Sequence, residues 1–235
     1  MSGKLSPPEE VKRRMEANFA NRGYLLPHQG LFAAAMPALQ DAYPAMYSAL
    51  TLKQNHLSPM EREFVWLGVL VAAGEYVGTH HVELFLQLGG THRQAEVVFR
   101  LVALASGAPK SFEFFDRHWQ KYFNGVDARR AYRDAAIALL GDSGIPEWLA
   151  RCILLGVHVT LRQEWGVEVE LEAAYAIGTD EGKLAESTCL PLWVAGMNAT
   201  IDSSVIWIRL IRDGRVKASE SMRAWAEMEQ GPKKI

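Results

Sequence analysis

Cysteine is nearly missing from this chain: among 235 residues there are only Cys152 and Cys189, with no Cys-x-x-Cys spacing. That excludes a disulfide framework and a zinc ribbon, which need clustered, regularly spaced thiols. Two buried structural thiols are the expectation. An excess of one charge sign is missing too. Twenty-five Lys and Arg stand against twenty-seven Asp and Glu, a formal net charge of -2. No basic block stands out, so no nucleic acid and no anionic membrane is expected as a partner. Nor is there a long apolar run. The longest uncharged stretch, residues 187–201, carries Pro191, Gly196 and Asn198, which falls short of the about 20 strongly apolar residues of a membrane span. The first ten residues are polar and lack the basic-then-apolar order of a secretory signal. A cytoplasmic location is expected by elimination.

What is present is a globular composition, 49% apolar and 22% charged. Ser6-Pro7-Pro8-Glu9 reads as a helix opening, with Ser6 as cap and Pro7 in the first helical position. Between residues 11 and 52, Leu31, Phe32, Met36, Leu39, Tyr43, Met46, Tyr47 and Leu50 recur every three or four positions. That spacing predicts two or three short helices, started or interrupted at Pro27, Pro37 and Pro44. Ser58-Pro59-Met60-Glu61 is a second capping-box signature. The helix it opens stays apolar through Ala73, breaks at Gly74 or Gly78, and is followed by a helix over residues 79–88 that Gly89-Gly90 would end. Thr91 caps the next helix, to about Ala105.

The same grammar returns near 88 residues later. Leu155-Gly156-Val157 echoes Leu67-Gly68-Val69, Gly166 falls where Gly78 stood, and Ile177-Gly178-Thr179 matches Gly89-Gly90-Thr91. No stretch alternates with the period of two that strands require. The expectation is an all-α fold of two tandem helical repeats behind an N-terminal helical leader. The leader covers residues 1–56, the first unit 57–125 and a degenerate second unit 126–235, packed as one domain.

One run stands out, Glu75-Tyr76-Val77-Gly78-Thr79-His80-His81. Together with Leu57-Ser58-Pro59, Glu61-Arg62-Glu63, Gly89-Gly90-Thr91, Ala95-Glu96 and residues 105–109, it resembles the carboxymuconolactone decarboxylase and alkylhydroperoxidase D superfamily. The peroxidase branch of that superfamily has a Cys-x-x-Cys pair before its histidine, at the positions of Gly74 and Val77. Without a thiolate there is no nucleophile for a peroxide, so thiol peroxidase activity is disfavoured. The decarboxylase branch needs no cysteines, and His81 stands before Gly89 and Thr91 as its histidine does. The family glutamate corresponds best to Glu63.

The resemblance implies a cofactor-free lyase or isomerase acting on a small carboxylated or lactone-like compound. An imidazole with an ordinary pKa of about 6.5 can both take and give a proton. His81 is the first choice for that role, with Glu63 fixing its tautomer, His80 as the alternative, and Glu75 and Tyr76 contacting substrate. Family members commonly form rings or dimers, so a homo-oligomer is expected. Adjacent helix positions lie about 100° apart, so His80 and His81 do not ligate one metal, and no metal is expected. The other class of function is a noncatalytic binding or assembly protein on the same fold.

Simpler roles weigh against several of these residues. His81 could be a satisfied helix histidine, Glu61 and Glu63 first-turn carboxylates favoured by the helix dipole, and Tyr76 a buried aromatic. Residues 112–123, with Phe112, Phe114, Phe115, Trp119, Tyr122 and Phe123, read as core or subunit interface. Glu164, Glu168, Glu170 and Glu172 read as a solvated face, and His158, in an apolar stretch, as a packed histidine.

Overall fold

A computed structural model describes residues 4–229. Every regular element among them is helical, so the chain is all-α. It divides into two compact units, residues 1–53 and 54–235.

The first unit holds α1 (Pro8–Arg22), α2 (Pro27–Ala35), α3 (Pro37–Tyr47) and a π-helical turn (Ser48–Leu52). Both α2 and α3 start on a proline, whose fixed φ suits the first helical position. The expected Ser6 cap does not form. Pro7 is the residue before α1, at φ -58 and ψ 148, and no side chain caps the helix. The cause is local: a residue preceding proline is kept out of the α region, so Pro8 bars Pro7 from the helix.

In the second unit, α4 (Pro59–Ala73) opens on the predicted capping box. The Ser58 hydroxyl accepts from the Glu61 N–H, and the Glu61 carboxylate accepts from the Ser58 N–H. Gly74 ends α4 in the left-handed region at φ 66. Then follow α5 (Thr79–Gln87) and α6 (His92–Gly107), the latter capped by Thr91 with Gln94. An irregular stretch contains α7 (Phe112–Phe114) and a π-helical turn (Phe115–Trp119). Beyond it come α8 (Ala128–Leu140), α9 (Glu147–Leu161), α10 (Glu164–Ala176), α11 (Glu181–Cys189), α12 (Leu192–Ala195), α13 (Met197–Arg212) and α14 (Glu220–Glu227).

Helix α9, like α4, has 15 residues, and α10 and α11 follow it as α5 and α6 follow α4. The correspondence is not complete. Arg162, at φ 54, closes α9 where glycine closes α4, and Gly166 lies inside α10 whereas Gly78 precedes α5.

The core centres on α4 against α9. Val65, Val69, Ile153 and Val157 are fully buried there, and two glycines let the backbones approach. A Cβ on Gly68 would come 2.9 Å from Ile153 Cγ2, and one on Gly156 3.1 Å from Val65 Cγ1. Interdigitated side chains at native packing density leave no room for that extra atom.

Candidate active site

Nearly the whole circumference of α4 is buried, from Arg62 to Leu70. A side chain on it therefore meets protein rather than water whichever way it points. Glu63 is 1% exposed. Helix α5 turns His81 and Phe85, one turn apart, inward, and the Phe85 ring meets Phe64 edge to face at 5.0 Å. This docking brings His81 Nδ1 to 2.7 Å from Glu63 Oε2, with both side chains buried. The Trp66 indole lies nearly parallel to the imidazole, centroids 4.5 Å apart and planes 25° apart. His80, on the exposed side of α5, keeps its ring 4.2 Å from that of His81.

The two carboxylates of the first turns of α4 are thus divided in role. Glu61 closes the capping box and binds Lys183 Nζ at 2.8 Å. Burial alone would raise its carboxyl, but the Lys183 and Ser58 bonds outweigh that and hold it below its ordinary value. Glu63 faces the imidazole, with Arg62 Nε 4.0 Å from its other oxygen. A buried carboxylate on Nδ1 fixes the tautomer and leaves proton exchange to Nε2.

A cavity of about 540 Å³ opens beside this pair, walled by α4, α5, α6 and the loop after α4. Glu75 and Tyr76 line it; His81, His80 and Glu63 do not. Tyr76 is 86% exposed at its rim, contrary to the buried aromatic expected for the simpler role. The five residues between α4 and α5, 74–78, form an open corner with no layer of protein to cover a ring. Glu75 folds back, its carboxylate accepting the Val77 N–H at 2.8 Å.

The acidic series of the second half is a solvated face only in part: Glu164 is exposed and Glu172 half-buried, but Glu168 and Glu170 are not. Glu168 is nearly buried and gathers Arg129, Arg209 and Arg215 within 2.8 Å. Glu170 is fully buried, 3.3 Å from Arg151 Nη1. Burial pushes its carboxyl up to about 7, with Arg151 pulling the other way. Beside it, the Tyr132 hydroxyl lies 2.7 Å from His158 Nε2, and His158 Nδ1 lies 2.6 Å from Gln163 Oε1. Since a carbonyl oxygen can only accept, His158 carries its proton on Nδ1 and accepts from Tyr132. Burial pushes His158 down to about 4, a packed histidine as expected. The sequence pattern does not single out Tyr132 or Arg129. The one available signal was Arg151 itself, a lone cation in the apolar run of α9, four residues after Glu147.

Cys152 is fully buried, and burial pushes its thiol up to about 12; Cys189, half-buried, is raised for the same reason. Neither has the lowered pKa that makes a thiol reactive. The aromatic stretch divides: Phe112 packs on Tyr132 at 5.5 Å, whereas Phe114, Trp119, Tyr122 and Phe123 are exposed. Among the described residues, no three His, Cys, Asp or Glu side chains are grouped to hold a metal ion, and no helix is long and apolar enough to cross a membrane.

The all-α fold thus buries an imidazole–carboxylate pair between consecutive helices, with no cysteine near it in sequence. Residues 37–116 match the model of the carboxymuconolactone decarboxylase family, so over this stretch the family likeness read from the motifs is shown. No curated protein and no solved structure matched the chain.

Proposed function

We propose that this protein is a cofactor-free lyase or isomerase of the carboxymuconolactone decarboxylase type, working on a small lactone-like or carboxylated compound. The observation that carries this reading is the 2.7 Å contact of Glu63 with His81 Nδ1 inside the segment that matches the family model. Glu63 holds the ring with its Nδ1–H committed, and Nε2 does the work. For a carboxylated lactone, the bond to the carboxyl carbon breaks, carbon dioxide leaves, and the electron pair spreads into the conjugated ring. The imidazolium Nε2–H then delivers a proton to carbon, and solvent restores it. For an isomerisation, Nε2 removes a proton from one carbon and returns it to another. General acid–base help of this kind supplies about 10²–10⁴ in rate. A homo-oligomer in the cytoplasm is the setting that goes with this reading.

One observation favours a second reading, a noncatalytic binding protein: the pair does not line the neighbouring cavity. The deciding experiment is carbon dioxide release, and proton exchange with solvent deuterium, from carboxymuconolactone and a panel of related lactones, with wild type beside His81→Ala. Turnover that falls by about 10²-fold or more in a folded variant supports the acid–base reading. Turnover equal in both would take His81 out of the chemistry and overturn the acid–base reading, and none on any compound favours the binding reading.

A further inference from the structure

The cavity walled by α4, α5 and α6 is built for a ligand of one charge class. Its volume, about 540 Å³, lies within the about 300–1,000 Å³ of small-molecule sites. The walls are the side chains of Leu67, Leu70, Val82, Leu86 and Phe99, and no Lys or Arg lines them. Val82, Leu86 and Phe99 are each more than 40% exposed although they face this hollow, so apolar surface remains open to a guest. The only carboxylate in the lining is Glu75, already held by the Val77 N–H. The one other ionisable group besides the Tyr76 phenol is His92, at the start of α6. Close approach shapes the hollow: a Cβ on Gly78 would come 2.8 Å from the Leu70 methyls, so glycine there brings the α5 entry down onto α4.

An anion entering this space would give up its hydration for hydrocarbon and for a fixed negative charge, with no guanidinium or ammonium in return. Burying an ionised group without a partner is far more costly than burying a neutral one. A neutral apolar molecule meets the opposite balance, since the area it covers on Val82, Leu86 and Phe99 is withdrawn from water.

We infer that this cavity is a binding site for an uncharged, apolar small molecule and discriminates against carboxylates and other anions. The inference goes beyond the acid–base reading of His81, because it concerns binding at residues that do not include the pair.

The test uses two fluorescent probes of one skeleton, neutral N-phenyl-1-naphthylamine and its sulfonated counterpart 8-anilinonaphthalene-1-sulfonate, titrated into the full chain. The neutral probe should bind at least tenfold more tightly. Val82→Trp and, separately, Leu86→Trp, both at exposed positions, should fill the hollow and weaken it at least tenfold with the circular dichroism spectrum unchanged. Glu75→Gln should narrow the preference by improving the sulfonate alone. His81→Ala should bind as wild type, so a failure of the acid–base reading leaves this result untouched. Equal or tighter binding of the sulfonate overturns the inference, as does neutral binding indifferent to both Trp variants. Absence of binding overturns it too, and sedimentation of the chain as an oligomer that dissociates in the Trp variants would then identify a second copy as the occupant.

Discussion

Arg151 on α9 reaches Glu170 on α10 as Glu63 on α4 reaches His81 on α5: the partners are 19 residues apart in the one pair and 18 in the other. Each half therefore buries one charged contact between consecutive helices, at nearly the same place in its own triplet. The chemistry differs. A guanidinium only donates, whereas an imidazole has a ring nitrogen that can accept a proton as well as one that donates. On the proposed function the Glu63–His81 pair moves a proton to a substrate, whereas the Arg151–Glu170 pair links two helices.

Glu170 makes the second pair sensitive to pH. Its folded pKa, about 7, lies above its ordinary 4.5, so the folded state favours the protonated form. The stabilisation from that preference is complete below about pH 4.5 and is lost as pH rises to 7. The Glu170→Gln variant has no such loss. Its stability relative to wild type, followed by urea denaturation, should improve by on the order of 1–3 kcal/mol between pH 4.5 and 7. A difference that stays flat would mean Glu170 is ionised throughout. His158, pushed down to about 4 from 6.5, acts in the reverse sense, losing stabilisation as pH falls through that window, and its slope should emerge in the same variant.

The Glu63–His81 contact is accessible to stability measurement without any substrate. Truncation by Glu63→Ala leaves a buried imidazole N–H without its acceptor, which costs about 1–3 kcal/mol; Glu63→Gln, which keeps a carbonyl oxygen in place, should lose less than half of that. On the proposed activity, the Gln variant should lower kcat while leaving KM within about twofold, because the carboxylate acts on the proton donor and not on substrate binding.

Backbone approach at the α4–α9 crossing depends on Gly68 and Gly156. Valine at either position forces Ile153 or Val65 out of its rotamer and should destabilise by about 1–3 kcal/mol. The double variant should not give the sum of the two singles, since both press on one crossing. Thermal melts of the three variants measure this. Additive losses would show that the helices separate freely.

Thiol chemistry can be checked directly. With Cys152 fully buried and its thiol raised to about 12, Ellman's reagent should label it only on unfolding. Hydrogen peroxide consumption should be unaffected by Cys152→Ser. Rapid labelling of Cys152 in the native chain would contradict its burial.

The sequence displayed the features whose causes are local. The Ser58–Glu61 and Thr91–Gln94 boxes bond across three residues, so spelling alone reveals them. Gly74 marks the end of α4 because few other residues tolerate φ 66. Ser6 is not the cap because two prolines in succession shift the helix start by one. The placement of Glu170 was out of reach. Its partner lies a helix away, and an acidic residue every second position looks solvated until Arg151 is seen beneath it. His81 and Glu63 were named through family likeness; the spacing of 18 residues says nothing by itself about which faces of α4 and α5 meet.

The α4–α9 crossing also bears on autonomy. The stretch that matches the family ends at residue 116, yet the helix that holds Glu63 presses its glycine against α9, which begins at Glu147. Cut from the rest, that stretch would bare Val65 and Val69 to water, and the register of α4 that aims Glu63 at His81 would lose its support. The recognisable module is thus a passage of sequence rather than a separable body, and its second half acts as the mould in which the first is cast.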